Sequence, residues 1–165
     1  EVHVICLFPS LESALAFDAL VYNRLLPIPN REDIFGKQQI MNEADEVIGT
    51  KENLLINATS ISFDEVFPLV ESYGGIAYPA HVDKSSTSLI SNLGFVPPES
   101  TFTCAEFHDF KNLHRLRKEH PYFDKCNVIC CSDAHYLGDI HEPEHQIFSV
   151  SKEKSDILYA LTQIK

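Results

Sequence analysis

Asp133 and His135 are the residues whose types and spacing are best suited to chemistry. They follow the short apolar run at residues 126–131, which has the composition of a buried strand. Side chains two positions apart on an extended backbone point the same way, so the carboxylate and the imidazole are expected to project together from the strand end. Both groups are common metal ligands. The alternative at Asp133 is an Asx turn or a helix cap.

Two further histidines lie in predicted strands. His81 closes the short apolar strand predicted over residues 76–81, and the alternative there is a histidine hydrogen-bonded at the start of a loop. His3 lies in the opening strand predicted over residues 2–8, where the alternative is a buried core histidine. The remaining histidines are predicted to be surface residues: His108, His114, His120, His141 and His145.

Strands alternate with helices along the chain, and the strands are short and continuously apolar. This pattern predicts an α/β fold with a parallel sheet, closed as a barrel or open, whose site lies at the carboxyl ends of the strands. His3 lies at the start of its predicted strand and not at its carboxyl end, so it does not fit this placement of the site. A hairpin insertion is predicted at about residues 36–57. The other strands are predicted at residues 102–107, 126–131 and 146–150, and the main helices at about 10–26, 62–73, 109–120 and 152–164.

The composition of the chain argues against some classes of function. The 165 residues carry 13 Lys and Arg against 24 Asp and Glu, a formal net charge of -11, which argues against a duplex nucleic-acid binder. A small phosphorylated substrate remains compatible, because bound divalent cations dominate the local field. Five cysteines without CxxC spacing predict reduced thiols in a cytoplasmic protein. No apolar stretch reaches the 18 or so residues that a membrane span needs.

Three segments together resemble the signature motifs of the polymerase and histidinol phosphatase (PHP) superfamily. They are residues 74–81 (GGIAYPAH), residues 131–135 (CSDAH) and the opening strand at residues 2–8 (VHVICLF), and they occur in the family's order. Residues 104–107, with Glu106, look like the family's apolar strand with an acidic residue, and no ligand role is assigned to Glu106. The resemblance implies a distorted (β/α)7 TIM-like barrel that holds up to three divalent metal ions, usually zinc, manganese or iron.

The same resemblance implies a metal-dependent phosphoesterase that hydrolyses a phosphate ester of a small metabolite or nucleotide. Carried over by motif, the metal ligands would be His3, His81, Asp133 and His135, and Lys84 would lie near the substrate phosphate. Asp133 is suited to bridge metal ions or to orient the attacking water. His81 or His135 is the alternative acid for the leaving oxygen.

The family's opening His-x-His strand does not precede Glu1. We therefore expect residues 1–165 to be a partial, single PHP-like domain, the C-terminal two-thirds, with its N-terminal strands missing. A fragment of this kind would bind metal poorly and turn over slowly, while the full-length protein would be active. The competing interpretations are a non-catalytic PHP-type module with a structural or regulatory role, such as a polymerase-associated one, and an α/β hydrolase of another metal-dependent family.

Overall fold

The structure is a computed structural model that describes residues 1–163. These residues form two compact units, one of Glu1–Phe17 with residues 63–163 and the other of Asp18–Ser62. The α-helices are α1 (Leu11–Asn23), α2 (Glu32–Phe35), α3 (Phe63–Ser72), α4 (Leu89–Leu93), α5 (Leu113–Glu119) and α6 (Lys154–Thr162), and short 3-10 helices cover Phe110–Asn112, Pro121–Lys125 and Leu137–Asp139.

Among the described residues, six short strands form three two-stranded sheets: β1 (Val4–Leu7) with β4 (Ile76–Pro79), β2 (Gln39–Met41) with β3 (Val47–Thr50), and β5 (Cys104–Phe107) with β6 (Asn127–Cys130). The first two pairs are antiparallel, and β5 and β6 are parallel. The prediction of a distorted (β/α)7 barrel is therefore wrong for residues 1–163, which form a mixed α/β fold without a closed barrel.

The direction of β1 against β4 is the main difference from the predicted sheet. Val4 pairs with Pro79 and Leu7 with Ile76, so the two strands run in opposite directions. A parallel pair is typically joined through one crossover helix. Here two helices and the whole unit Asp18–Ser62 separate β1 from β4, so the connection does not dictate the direction in which the chain enters β4.

β5 and β6 make the one parallel pair of the described residues, and they lie at the centre of the larger unit. All four residues of β5 are buried. The ring of Phe107 packs against Phe123 at a centroid distance of 5.7 Å, and neither residue is accessible to solvent. Because parallel strands end at the same edge of a sheet, the pairing of β5 with β6 places the loops after Phe107 and Cys130 side by side.

The strand and the helix predicted at the end of the chain have different outcomes. No strand forms over residues 146–150, and Val150 is 94% exposed. A short apolar run becomes a strand only where a neighbouring backbone is in place to pair with it. The last helix is α6, Lys154–Thr162, and its predicted end at Ile164 lies outside the described residues.

The unit Asp18–Ser62 contains α2 and the antiparallel strands β2 and β3, with an irregular register between Ile40 and Met41. No helix among residues 1–163 has the length and apolar content needed to cross a bilayer. That the whole chain forms part of one PHP-like domain stays a prediction.

Candidate functional site

His3 and His81 lie together because β1 and β4 are antiparallel. This pairing sets the start of β1 beside the end of β4, and the Ala80 N–H donates to the His3 carbonyl oxygen at 3.0 Å. His3 Nδ1 is 3.3 Å from His81 Nε2, and the rings meet edge to face at a centroid distance of 5.2 Å. In an antiparallel pair the start of one strand lies beside the end of the other. The position of His3 at the start of β1 therefore places it beside His81.

An acidic residue contacts each histidine, at the ring of His3 and at the backbone of His81. His3 Nε2 lies 3.1 Å from Glu1 Oε1, which leaves Nδ1 to face His81. His81 is 3% exposed and has a φ of +30°, and its backbone N–H donates to Oε1 of the buried Glu106 at 3.2 Å. Burial lowers the pKa of His81 below its ordinary value and outweighs the opposing effect of Asp133. A neutral imidazole is the form that binds metals.

Asp133 faces this pair from the loop after β6. Its Oδ2 atom is 4.0 Å from His81 Nε2 and 2.6 Å from Lys84 Nζ. Burial would raise the pKa of Asp133, but the hydrogen bond from Lys84 and the charges of His81 and Lys84 bring the pKa below its ordinary value. Asp133 also has a φ of +49°. Left-handed backbone at a non-glycine residue is costly and concentrates at functional sites, and both His81 and Asp133 have it.

His135 does not project beside Asp133 as an extended strand would place it. β6 ends at Cys130, and the left-handed conformation of Asp133 breaks the two-residue alternation. The His135 ring is exposed, and its Nδ1 atom lies 3.0 Å from the backbone oxygen of Asp133. The structure therefore brings His3, His81 and Asp133 together with Lys84, and leaves His135 at the edge.

Two of the three candidate ligands, His3 and His81, have the spacing that a divalent metal ion requires. Two nitrogen ligands about 2.0–2.1 Å from a tetrahedral zinc ion lie about 3.3 Å apart, the separation between His3 Nδ1 and His81 Nε2. The carboxylate of Asp133 is chemically suitable, but it is engaged by Lys84. Residues 1–163 contain no group of three or more His, Cys, Asp or Glu side chains arranged to hold a metal ion.

A cleft of about 380 Å³ opens beside Asp133, and its polar walls include the imidazoles of His108 and His141 and the carboxylate of Asp139. The rings of His108 and His141 are 6.0 Å apart between centroids. His108 is half-buried rather than a surface residue as predicted, because it directly follows the buried strand β5. The cleft thus adjoins the His3–His81–Asp133 cluster through their shared member, Asp133.

Asp83 fixes one wall of this cleft. Its carboxylate accepts hydrogen bonds from the backbone N–H groups of His108 and Asp109 at 2.6 and 2.9 Å, and from Asn112 Nδ2 at 2.9 Å. Asp83 lies in the loop after β4, so these bonds join the loops that follow β4 and β5. Sequence reasoning missed Asp83, although an acidic residue two positions after His81 was a visible signal.

Comparison of the chain with protein-family models, with curated proteins and with solved structures gives no match.

Proposed function

We propose that the protein is a metal-dependent phosphoesterase of the PHP type, acting on a phosphate ester of a small metabolite or nucleotide. The observation that carries the proposal is the 3.3 Å separation of His3 Nδ1 and His81 Nε2, with the Asp133 carboxylate 4.0 Å from the latter atom. Two neutral nitrogen donors and one carboxylate are typical ligands of zinc, manganese and iron.

His3, His81 and Asp133 would hold the divalent metal, and His135 remains a further predicted ligand. A metal ion bound there would neutralise phosphate oxygens and lower the pKa of a water molecule toward neutrality. The residues of the chain have complementary roles. Glu106 fixes the turn that carries His81, and Asp133 is suited to orient the attacking water. Lys84 is the cationic side chain nearest the cluster and would contact the phosphate.

The cleft is the natural place for the remainder of the ester. It adjoins Asp133, and its walls supply imidazole and hydroxyl groups from His108, His141 and Ser132 that can hydrogen-bond a polar substrate. A cytoplasmic location is part of the proposal. It is supported by the five cysteines, all of which are free in the structure.

The proposal is tested by measuring phosphate release from a panel of phosphomonoesters and nucleotides, using metal-stripped protein to which Mn²⁺ or Zn²⁺ is returned. We expect metal-dependent hydrolysis that falls at least about a hundredfold in His81→Ala. His114→Ala is the matched control, because His114 is exposed on α5, and it should keep full activity.

Metal-bound protein that hydrolyses none of the esters would contradict the proposal. If His81→Ala and Asp133→Ala then lower only the free energy of unfolding, the non-catalytic PHP-type module is the better interpretation.

A further inference from the structure

The Asp133 carboxylate already has a cationic partner within the chain. Lys84 Nζ lies 2.6 Å from Asp133 Oδ2, and the exposed fractions of the two side chains are only 33% and 23%. This contact is therefore shielded more than a typical surface ion pair. The same oxygen atom is the one that faces His81 Nε2 at 4.0 Å.

The backbone of Lys84 is fixed at both ends. Its N–H donates to the His81 carbonyl oxygen at 3.0 Å, which closes the turn after β4. Its carbonyl oxygen accepts from Ser88 Oγ at 2.7 Å, and Ser88 is a fully buried residue that caps α4. Because the backbone is held, the position of the ammonium depends on the rotamers of the Lys84 side chain.

We propose that Lys84 is an exchangeable counter-ion of Asp133, so that the ammonium and a divalent cation held by His3 and His81 compete for the Asp133 carboxylate. The inference rests on the proposed function. A cation seated between His81 Nε2 and Asp133 Oδ2 would lie within a few ångströms of the ammonium, and two positive charges at that distance repel each other strongly in a half-buried site. Binding of the divalent cation therefore moves Lys84 away from Oδ2.

Asp133 has the chemistry of a metal ligand, and Lys84 hydrogen-bonds Oδ2, the Asp133 oxygen atom that faces His81 Nε2. Once displaced, the ammonium stays beside the cleft that Asp133 lines, where an anionic phosphate group can take the place of the carboxylate as its partner.

The test is calorimetric titration of Mn²⁺ into metal-stripped protein, without any substrate. The variants are Lys84→Met, His81→Ala and the control Lys111→Met, which removes the same charge from an exposed position after β5. We expect Lys84→Met to bind Mn²⁺ at least about fivefold more tightly than the wild type, as for other coupled sites. Lys111→Met should match the wild type, and His81→Ala should lose binding.

A second readout is the side-chain ¹⁵N signal of Lys84, which should move on addition of Zn²⁺ to the wild type. Circular dichroism shows whether Lys84→Met folds, and Lys84→Gln serves in its place if it does not. Equal affinity in Lys84→Met and Lys111→Met, with binding still lost in His81→Ala, would overturn the exchange and leave the metal centre standing. No Mn²⁺ binding in any variant, the wild type included, would overturn the metal centre and the exchange with it.

Discussion

Gly75 and Leu7 approach each other so closely that a Cβ atom on Gly75 would lie 2.6 Å from the Leu7 carbonyl oxygen. The same atom would also lie 2.6 Å from the ring of Phe8. Gly75 directly precedes β4, and Leu7 ends β1. The close approach therefore belongs to the antiparallel pairing that brings His3 to His81.

Gly75→Ala should destabilise this pairing, since a backbone oxygen cannot move aside as a flexible side chain can. We expect the free energy of unfolding in urea to fall by about 1–3 kcal/mol. Gly138→Ala is the control, because nothing lies within 4 Å of a Cβ atom at that position. Equal stability of the two variants would contradict the β1–β4 register.

Asp83→Asn should loosen the loop after β5. The amide keeps one acceptor oxygen and replaces the other with a donor, so it cannot accept all three hydrogen bonds from His108, Asp109 and Asn112, and we expect a loss of about 1–3 kcal/mol in the free energy of unfolding. Hydrogen exchange at the amides of His108 and Asp109 should also become faster. Asp124→Asn, at an exposed carboxylate 3.7 Å from Arg117 Nε, should change neither measurement.

The buried thiols predict a loss of stability at alkaline pH. Burial raises the pKa of Cys104 to about 12, whereas an unfolded chain has a thiol pKa of about 8.5. The unfolded state therefore releases this proton first. The stability that Cys104 contributes is complete below about pH 8.5 and falls by about 1.4 kcal/mol per pH unit as the pH rises toward 12.

Urea unfolding of the wild type and Cys104→Ala at pH 7.5, 9 and 10, under reducing conditions, measures this contribution. The alanine variant should be less stable at pH 7.5 because of the cavity it leaves. The difference should shrink as the pH rises. A difference that stays constant with pH would show that Cys104 is not protected from titration.

Several local elements could be read from the sequence, but the strand predicted over residues 146–150 is absent from the described residues, and the pairing of strands could not be read. The apolar runs that end near His81 and Asp133 are strands β4 and β6, because composition and flanking glycine and proline residues act locally. Alternation of strands and helices wrongly suggested a parallel barrel, since an apolar run carries no mark of its direction.

The candidate site shows the same contrast between what the sequence predicts and what depends on tertiary packing. Its residue types were visible in the sequence, but the contacts of Asp133 with Lys84, 49 positions earlier in the chain, depend on tertiary packing. Asp133 has a left-handed backbone, so its side chain and that of His135 do not project in the same direction. An Asp-Ala-His sequence carries no signal of that conformation. The prediction of a surface His108 is wrong because the burial of β5, which His108 directly follows, depends on tertiary packing.

The most direct test of the metal centre is the imidazole ¹⁵N spectrum of the protein during titration with Zn²⁺. We expect Nδ1 of His3 and Nε2 of His81 to shift together at one equivalent of metal, because these are the two atoms that face each other at 3.3 Å. The signals of His114 should not move. Unchanged signals for His3 and His81, or shifts confined to other histidines, would contradict the account.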